Sequence, residues 1–111
     1  MSRDLILFPD NDTGEYLWQR HQAGDNLEQS REVEFSVIFP SKALALKFGQ
    51  LLLENHQKLS FTPFQDNDAY PWEITAYPEM ALSYENISAY QALIETSCEP
   101  LKGQFDGFYC L

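Results

Sequence analysis

Nine residues, Arg31-Glu-Val-Glu-Phe-Ser-Val-Ile-Phe39, constrain this chain most: Val33, Phe35, Val37 and Phe39 alternate with Glu32, Glu34 and Ser36. Successive side chains on a strand point to opposite faces, so this spacing predicts a strand with one buried face and one wet one. Pro40 cannot donate into a ladder and Ser41 is a good helix cap, so the strand ends there. Ala43, Leu44, Leu46, Lys47, Phe48, Leu51, Leu52 and Leu53 then run at helical spacing to about Asn55. A strand that passes at once into a helix can have its apolar face covered by that helix. A sheet with helices on one face follows.

The remaining elements complete that plan. Asp12-Thr-Gly-Glu15 has capping-box spacing, predicting a helix over about 13–23 with Asp12 as its cap, Leu17, Trp18 and His21 on its apolar side, and Gly24 as its stop. Residues 57–64 alternate through Leu59 and Phe61, the stretch 66–71 is turn chemistry, and 72–76 alternates again, predicting a hairpin. Ile87, Tyr90, Leu93, Ile94 and Leu101 recur at helical spacing behind a cap at Ser83 or Asn86. That helix should kink or finish near Pro100, with Gly103 completing the stop. Residues 105–110 form a closing strand. Residues 1–9 read as a short strand at Leu5 to Phe8 or a loosely attached tail. The order is a helix followed by βαββαβ, one domain over residues 1–111. Right-handed crossovers then give a four-stranded antiparallel sheet in the order 4-1-3-2, a ferredoxin-like α+β sandwich with helices on one face plus an N-terminal helix. Phe35, Val37, Leu52, Ile74 and Leu93 are its expected core. Two glycines fall inside elements. Close packing of the helix on the sheet would explain Gly49, and at Asp106-Gly107 a strand bulge or the close approach of another backbone fits.

Charge narrows the function classes. Seventeen acids against seven bases leave a formal charge of −10, spread from Asp4 to Asp106. Nucleic-acid binding displaces counterions with Lys and Arg, and the few bases here are scattered, so direct RNA or DNA binding is disfavoured and a basic protein partner is favoured. Cys98 and Cys110 are too few for a disulfide framework, and no signal-peptide pattern precedes them, which points to the cytoplasm. No apolar run approaches the roughly 20 residues of a membrane helix. His21 and His56 lack a second ligand at metal spacing and suit a surface or helix-end role. Asp66 and Asp68 suit a solvated turn, and the five glycines lie too far apart to cradle a phosphate. No catalytic, cofactor-binding or metal-binding set assembles, so the chain does not read as an enzyme.

The stretch from Val33 to Leu53, the strand from Trp72 to Ala76, the helix around Ile87 to Leu101 and above all Gly103-Gln-Phe-Asp-Gly-Phe108 resemble the RraB family, the regulators of ribonuclease activity. Members carry Tyr-Asp-Gly-Trp where this chain has Phe105-Asp106-Gly107-Phe108, which keeps the Asp-Gly pair between two aromatics but loses the hydroxyl and the indole. The resemblance implies a non-enzymatic protein that binds ribonuclease E, or another basic RNA-handling protein, and restrains RNA decay by protein contact and not by holding RNA; no cofactor and no membrane partner is expected. The expected contact residues are Phe105, Asp106, Gly107 and Phe108, with Glu32 and Glu34 on the polar side of the organising strand. A second class stays open, a ferredoxin-like domain that binds a small molecule or acts as a small enzyme in a cleft. A pocket gathering His21 or His56 with carboxylates would favour it.

Overall fold

Val33, Phe35, Val37 and Phe39 are all fully buried, and β1 (Arg31–Phe39), which carries them, is the central strand of an antiparallel sheet in the computed structural model, which describes residues 3–110. Strand β3 (Trp72–Ala76) lies along one edge of β1, with Val37 opposite Ile74, and β5 (Gln104–Cys110) along the other, with Phe35 opposite Phe108. Beyond β3 lies β2 (Leu59–Pro63). The four long strands therefore take the order expected from the crossovers. A fifth piece, β4 (Glu79–Met80), was not foreseen; it pairs Glu32 with Glu79 in the same register as the β1–β3 pairing. It is a continuation of β3 past Pro78, whose carbonyl still accepts from Val33 N at 2.9 Å. The fold is α+β and ferredoxin-like, with an N-terminal helix.

All three helices pack on one face. Helix α2 (Lys42–Glu54) starts where Ser41 Oγ accepts from Leu44 N at 3.2 Å, and it sets Ala45, Phe48 and Leu52 against Val37, Phe39 and Ile74. It ends with Gln57 N donating to Leu52 O and His56 N to Leu53 O, and His56 takes the left-handed conformation at φ 58°. His56 is thus a helix-end residue. Helix α1 (Asp12–Gln22) buries Leu17 in a second cluster with Val33, Phe35, Ile87 and Cys110. Its cap is Asn11, whose Oδ1 accepts from Gly14 N at 2.8 Å, and not Asp12; Glu15 instead pairs with Arg3. The segment before it is neither strand nor loose tail. Residues 4–8 form a turn closed by Phe8 N donating to Asp4 O at 2.7 Å, with the Phe8 ring buried.

Helix α3 (Tyr84–Cys98) is capped by Ser83 and runs into a 3-10 turn at Glu99–Leu101. Its buried positions are Ile87, Ile94 and Cys98, and Leu93 is 60% exposed. The expectation of Leu93 in the core is corrected: Leu93 and Ile94 are adjacent, a helix turns roughly 100° between them, and the sheet takes Ile94. Lys102, at φ 60°, is the left-handed residue that ends the 3-10 turn, one position before Gly103. Gly103 answers a different need, since a Cβ there would lie 2.7 Å from Phe39 Cε1 and 2.8 Å from Cys98 Cβ. Gly49 is the reverse case. A Cβ would meet Ile74 and Leu59 at 3.5 Å, ordinary contact, so crowding does not explain that glycine. Among the described residues no helix is long and apolar enough to cross a membrane.

Candidate functional site

Alternation that buries one face of β1 leaves the other uncovered by the helices. Glu32, Glu34, Ser36 and Ile38 of β1 lie on it beside Glu73 and Thr75 of β3 and Asp106, Gly107 and Tyr109 of β5. Hydroxyl pairs tie its strands together: Ser36 Oγ meets Thr75 Oγ1 at 3.2 Å, and Ser60 Oγ meets the Tyr77 hydroxyl at 2.8 Å. Ile38, only 3% exposed, is flanked across the strands by Glu73 and Gln104. Glu32 is paired with Lys58 Nζ at 3.0 Å, and that ammonium also sits 5.2 Å from the centre of the Tyr77 ring.

The other acids of this face confront one another. Burial, then the charge of Asp106, pushes the Glu73 carboxyl above its ordinary range; a hydrogen bond from Thr62 pulls it back, and Asp66 and Glu34 push it up again. Four carboxylates from three strands and the 66–71 turn therefore share one field on this face. They do not chelate, for among the described residues no group of three His, Cys, Asp or Glu side chains could hold a metal ion.

The closing motif divides between the two faces. The β1–β5 register shifts between Ser36 and Val37, with Ser36 opposite Gly107 and Val37 opposite Phe105, so Asp106 is the extra residue of a bulge. Gly107 sits at φ 129°, a conformation that a side chain disfavours, with nothing within 4 Å of the place a Cβ would take. The bulge reading holds, and within the chain no other backbone approaches Gly107. Because the bulge resets the alternation, Phe105 and Phe108 both turn toward the helices, where Phe108 lies 5.8 Å from Phe35 and 5.3 Å from Tyr16 between ring centroids. Asp106 is exposed on the acidic face with Glu32, while Glu34 is half-buried there. Of the six expected contact residues, Glu32, Glu34, Asp106 and Gly107 are thus gathered on one surface, and the two aromatics are packed beneath it. Glu73 was missed, although its place opposite Ile38 follows from pairing the two strands once the 66–71 turn is taken as a hairpin loop.

Two other places bear on chemistry. Burial pushes both cysteine thiols up, away from the thiolate that a nucleophile needs. A cavity of about 590 Å³ at the opposite end of β1 from Phe39 places His21 with Asp4, Asp25 and Glu28, the gathering that favours the small-molecule class. Asp25 is engaged elsewhere, bridging Arg20 at 2.8 Å and Arg31 at 2.9 Å, and the His21 ring stacks on Trp18 with centroids 5.8 Å apart.

No curated protein matches this chain. Residues 10–110 match the RraB family, described as Regulator of ribonuclease activity B. That match covers nearly the whole chain, including every helix and strand that builds the acidic face. With its α+β sheet, its one-sided helices and its Asp-Gly bulge, the chain belongs to the RraB family of regulators of ribonuclease activity.

Proposed function

We propose that this chain regulates a ribonuclease without catalysing any reaction, by binding a basic segment of the enzyme on its open acidic sheet face. Ribonuclease E, or another basic RNA-handling protein, is the partner this reading names. The observation that carries it is the set of Glu34, Glu73 and Asp106 on one face, with Glu73 pushed up by its own burial and its neighbours' charge. Such a face repels phosphate and is relieved by an incoming Lys or Arg. The rigid bulge at Asp106-Gly107, anchored from below by Phe105 and Phe108, fixes where one of those charges stands. On the same ground the chain would bind no RNA by itself.

Charge reversal tests the reading. Glu34→Lys with Asp106→Lys should weaken binding to a basic ribonuclease E scaffold peptide by about tenfold or more, while Glu85→Lys with Glu95→Lys on α3, an equal change of net charge, should weaken it far less. Wild-type affinity should fall as salt rises from about 50 to about 200 mM, because exposed charges are screened beyond roughly 8 Å. Binding that is indifferent both to salt and to the double reversal would contradict the proposal, as would tight binding to RNA alone.

A further inference from the structure

The cavity beside His21 is built from four separated pieces of chain: the turn at residues 4–8, α1, the loop at 25–28 and residues 81–83. Leu7, Phe8, Trp18, Leu27 and Leu82 supply its apolar surface. Phe8 is the hinge of that surface, its ring centroid 5.3 Å from those of both Trp18 and His21. Asp4 and Glu28 put negative charge at its lining, where Asp25 is already paired with Arg20 and Arg31. The apolar character also runs past the mouth, because Leu5, Ile6 and Leu7 are 62%, 88% and 59% exposed. These three are held out in place: Asp4 Oδ1 accepts from Ile6 N at 2.9 Å, and Arg3 Nε donates to Phe8 O at 2.8 Å, closing the turn.

A site made for a small metabolite would end at its walls, whereas this one continues onto an exposed apolar turn and is rimmed with negative charge. From that combination we propose that the cavity is an anchor site for a protein partner, taking one large aliphatic or aromatic side chain from a segment that carries Lys or Arg on either side. The apolar floor would hold the anchor, the exposed Leu5-Ile6-Leu7 turn would cover it, and Asp4 and Glu28 would meet the flanking cations. It rests on the reading that the partner is a basic protein segment, and it adds what charge alone cannot give, a choice among basic segments.

Trp18 makes the test direct. The chain has two tryptophans, and Trp72 stands opposite Phe39 at the far end of β1, so a Trp72→Phe variant reports from the cavity alone. The probes are two lysine-flanked synthetic peptides of equal charge, one with a central Leu-Phe pair and one with Ala-Ala, and octylamine as a small apolar cation. The Leu-Phe peptide should shift Trp18 emission to the blue and bind about tenfold or more tighter than its alanine counterpart. Leu7→Lys, at an exposed position that does not endanger the fold, should erase that preference. Equal affinities for the two peptides would overturn the proposal, and so would octylamine binding more tightly than the Leu-Phe peptide, which would make the cavity a small-molecule site. The sheet face is separable: if Glu34→Lys with Asp106→Lys leaves both affinities unchanged while the Leu-Phe preference persists, the acidic-face reading fails and the anchor site stands. If the double reversal weakens both peptides and no Leu-Phe preference is found, the anchor site fails alone.

Discussion

Phe35 shows how much one side chain carries here: it is fully buried, with its ring centroid 4.7 Å from Tyr90 and 5.8 Å from Phe108, joining α3 and β5 to the central strand. Phe35→Ala should cost about 3 to 5 kcal/mol, read as a lower denaturation midpoint at unchanged slope. A loss under about 1 kcal/mol would mean that the ring is not held as described. Two glycines make a sharper pair because their surroundings oppose each other. Gly107→Ala places a side chain at φ 129° and should destabilise by about 1 to 3 kcal/mol, although nothing stands in the way of its methyl. Gly49→Ala adds a methyl that meets Ile74 and Leu59 at ordinary distance in mid-helix, so stability should rise by up to about 1 kcal/mol. Denaturation of the two variants side by side checks both signs. The Asp106-Gly107 irregularity was legible in the sequence because so few residues tolerate that backbone. Nothing in the sequence says whether Gly49 is crowded, since that depends on side chains brought from β2 and β3.

At the scale of elements, strong periodicity was readable and weak periodicity was not. Strands β1 and β3 lie where their alternation put them, and helix α2 lies where its cap at Ser41 and its apolar run put it, although Leu46, Leu51 and Leu53 of that run are exposed. Helix α3 has apolar residues on more than one side, so its pattern could not choose Ile94 over Leu93 for the core; the sheet chooses. Asn11 and Asp12 are both good caps in adjacent positions, and it is Asn11 that has the extended backbone and accepts from Gly14 N. Asp25 is what joins α1 to β1, through hydrogen bonds from Arg31 and Arg20. The Arg31 hydrogen bonds first, then those of Arg20 and the charges of both, hold its carboxyl below its ordinary value against the opposing effect of burial. A lowered folded pKa means a stabilising contribution that is present above the unfolded value and lost as pH falls through the folded one. Asp25→Asn should therefore destabilise the fold near neutral pH, and its deficit against the wild type should shrink as the solution is acidified. Glu73 works in the opposite sense. Its raised pKa makes its charged form a cost at neutral pH, relieved as pH falls through the folded value, so Glu73→Gln should stabilise the free protein at neutral pH and gain nothing in acid. Melting of both variants across the acid range reads both trends.

Taken whole, the molecule is a sheet used on two sides: three helices bury one face, and the other collects carboxylates from β1, β3 and β5. The sequence showed the acidity and the family likeness. It could not show which of seventeen acids share a surface, because Glu34, Glu73 and Asp106 are far apart in the chain and meet only through strand pairing. The His21 cavity was hidden for the same reason, being assembled from the turn at 4–8, α1 and two loops. Binding of a basic ribonuclease E scaffold segment, followed by calorimetry at low and physiological salt for the wild type and for the Glu34→Lys, Asp106→Lys double variant, tests the proposed role of the acidic face most directly. Wild-type binding that weakens with salt, and a variant that binds about tenfold or more weakly while melting like the wild type, is the expected result. Equal binding by the two proteins at both salt concentrations would contradict it.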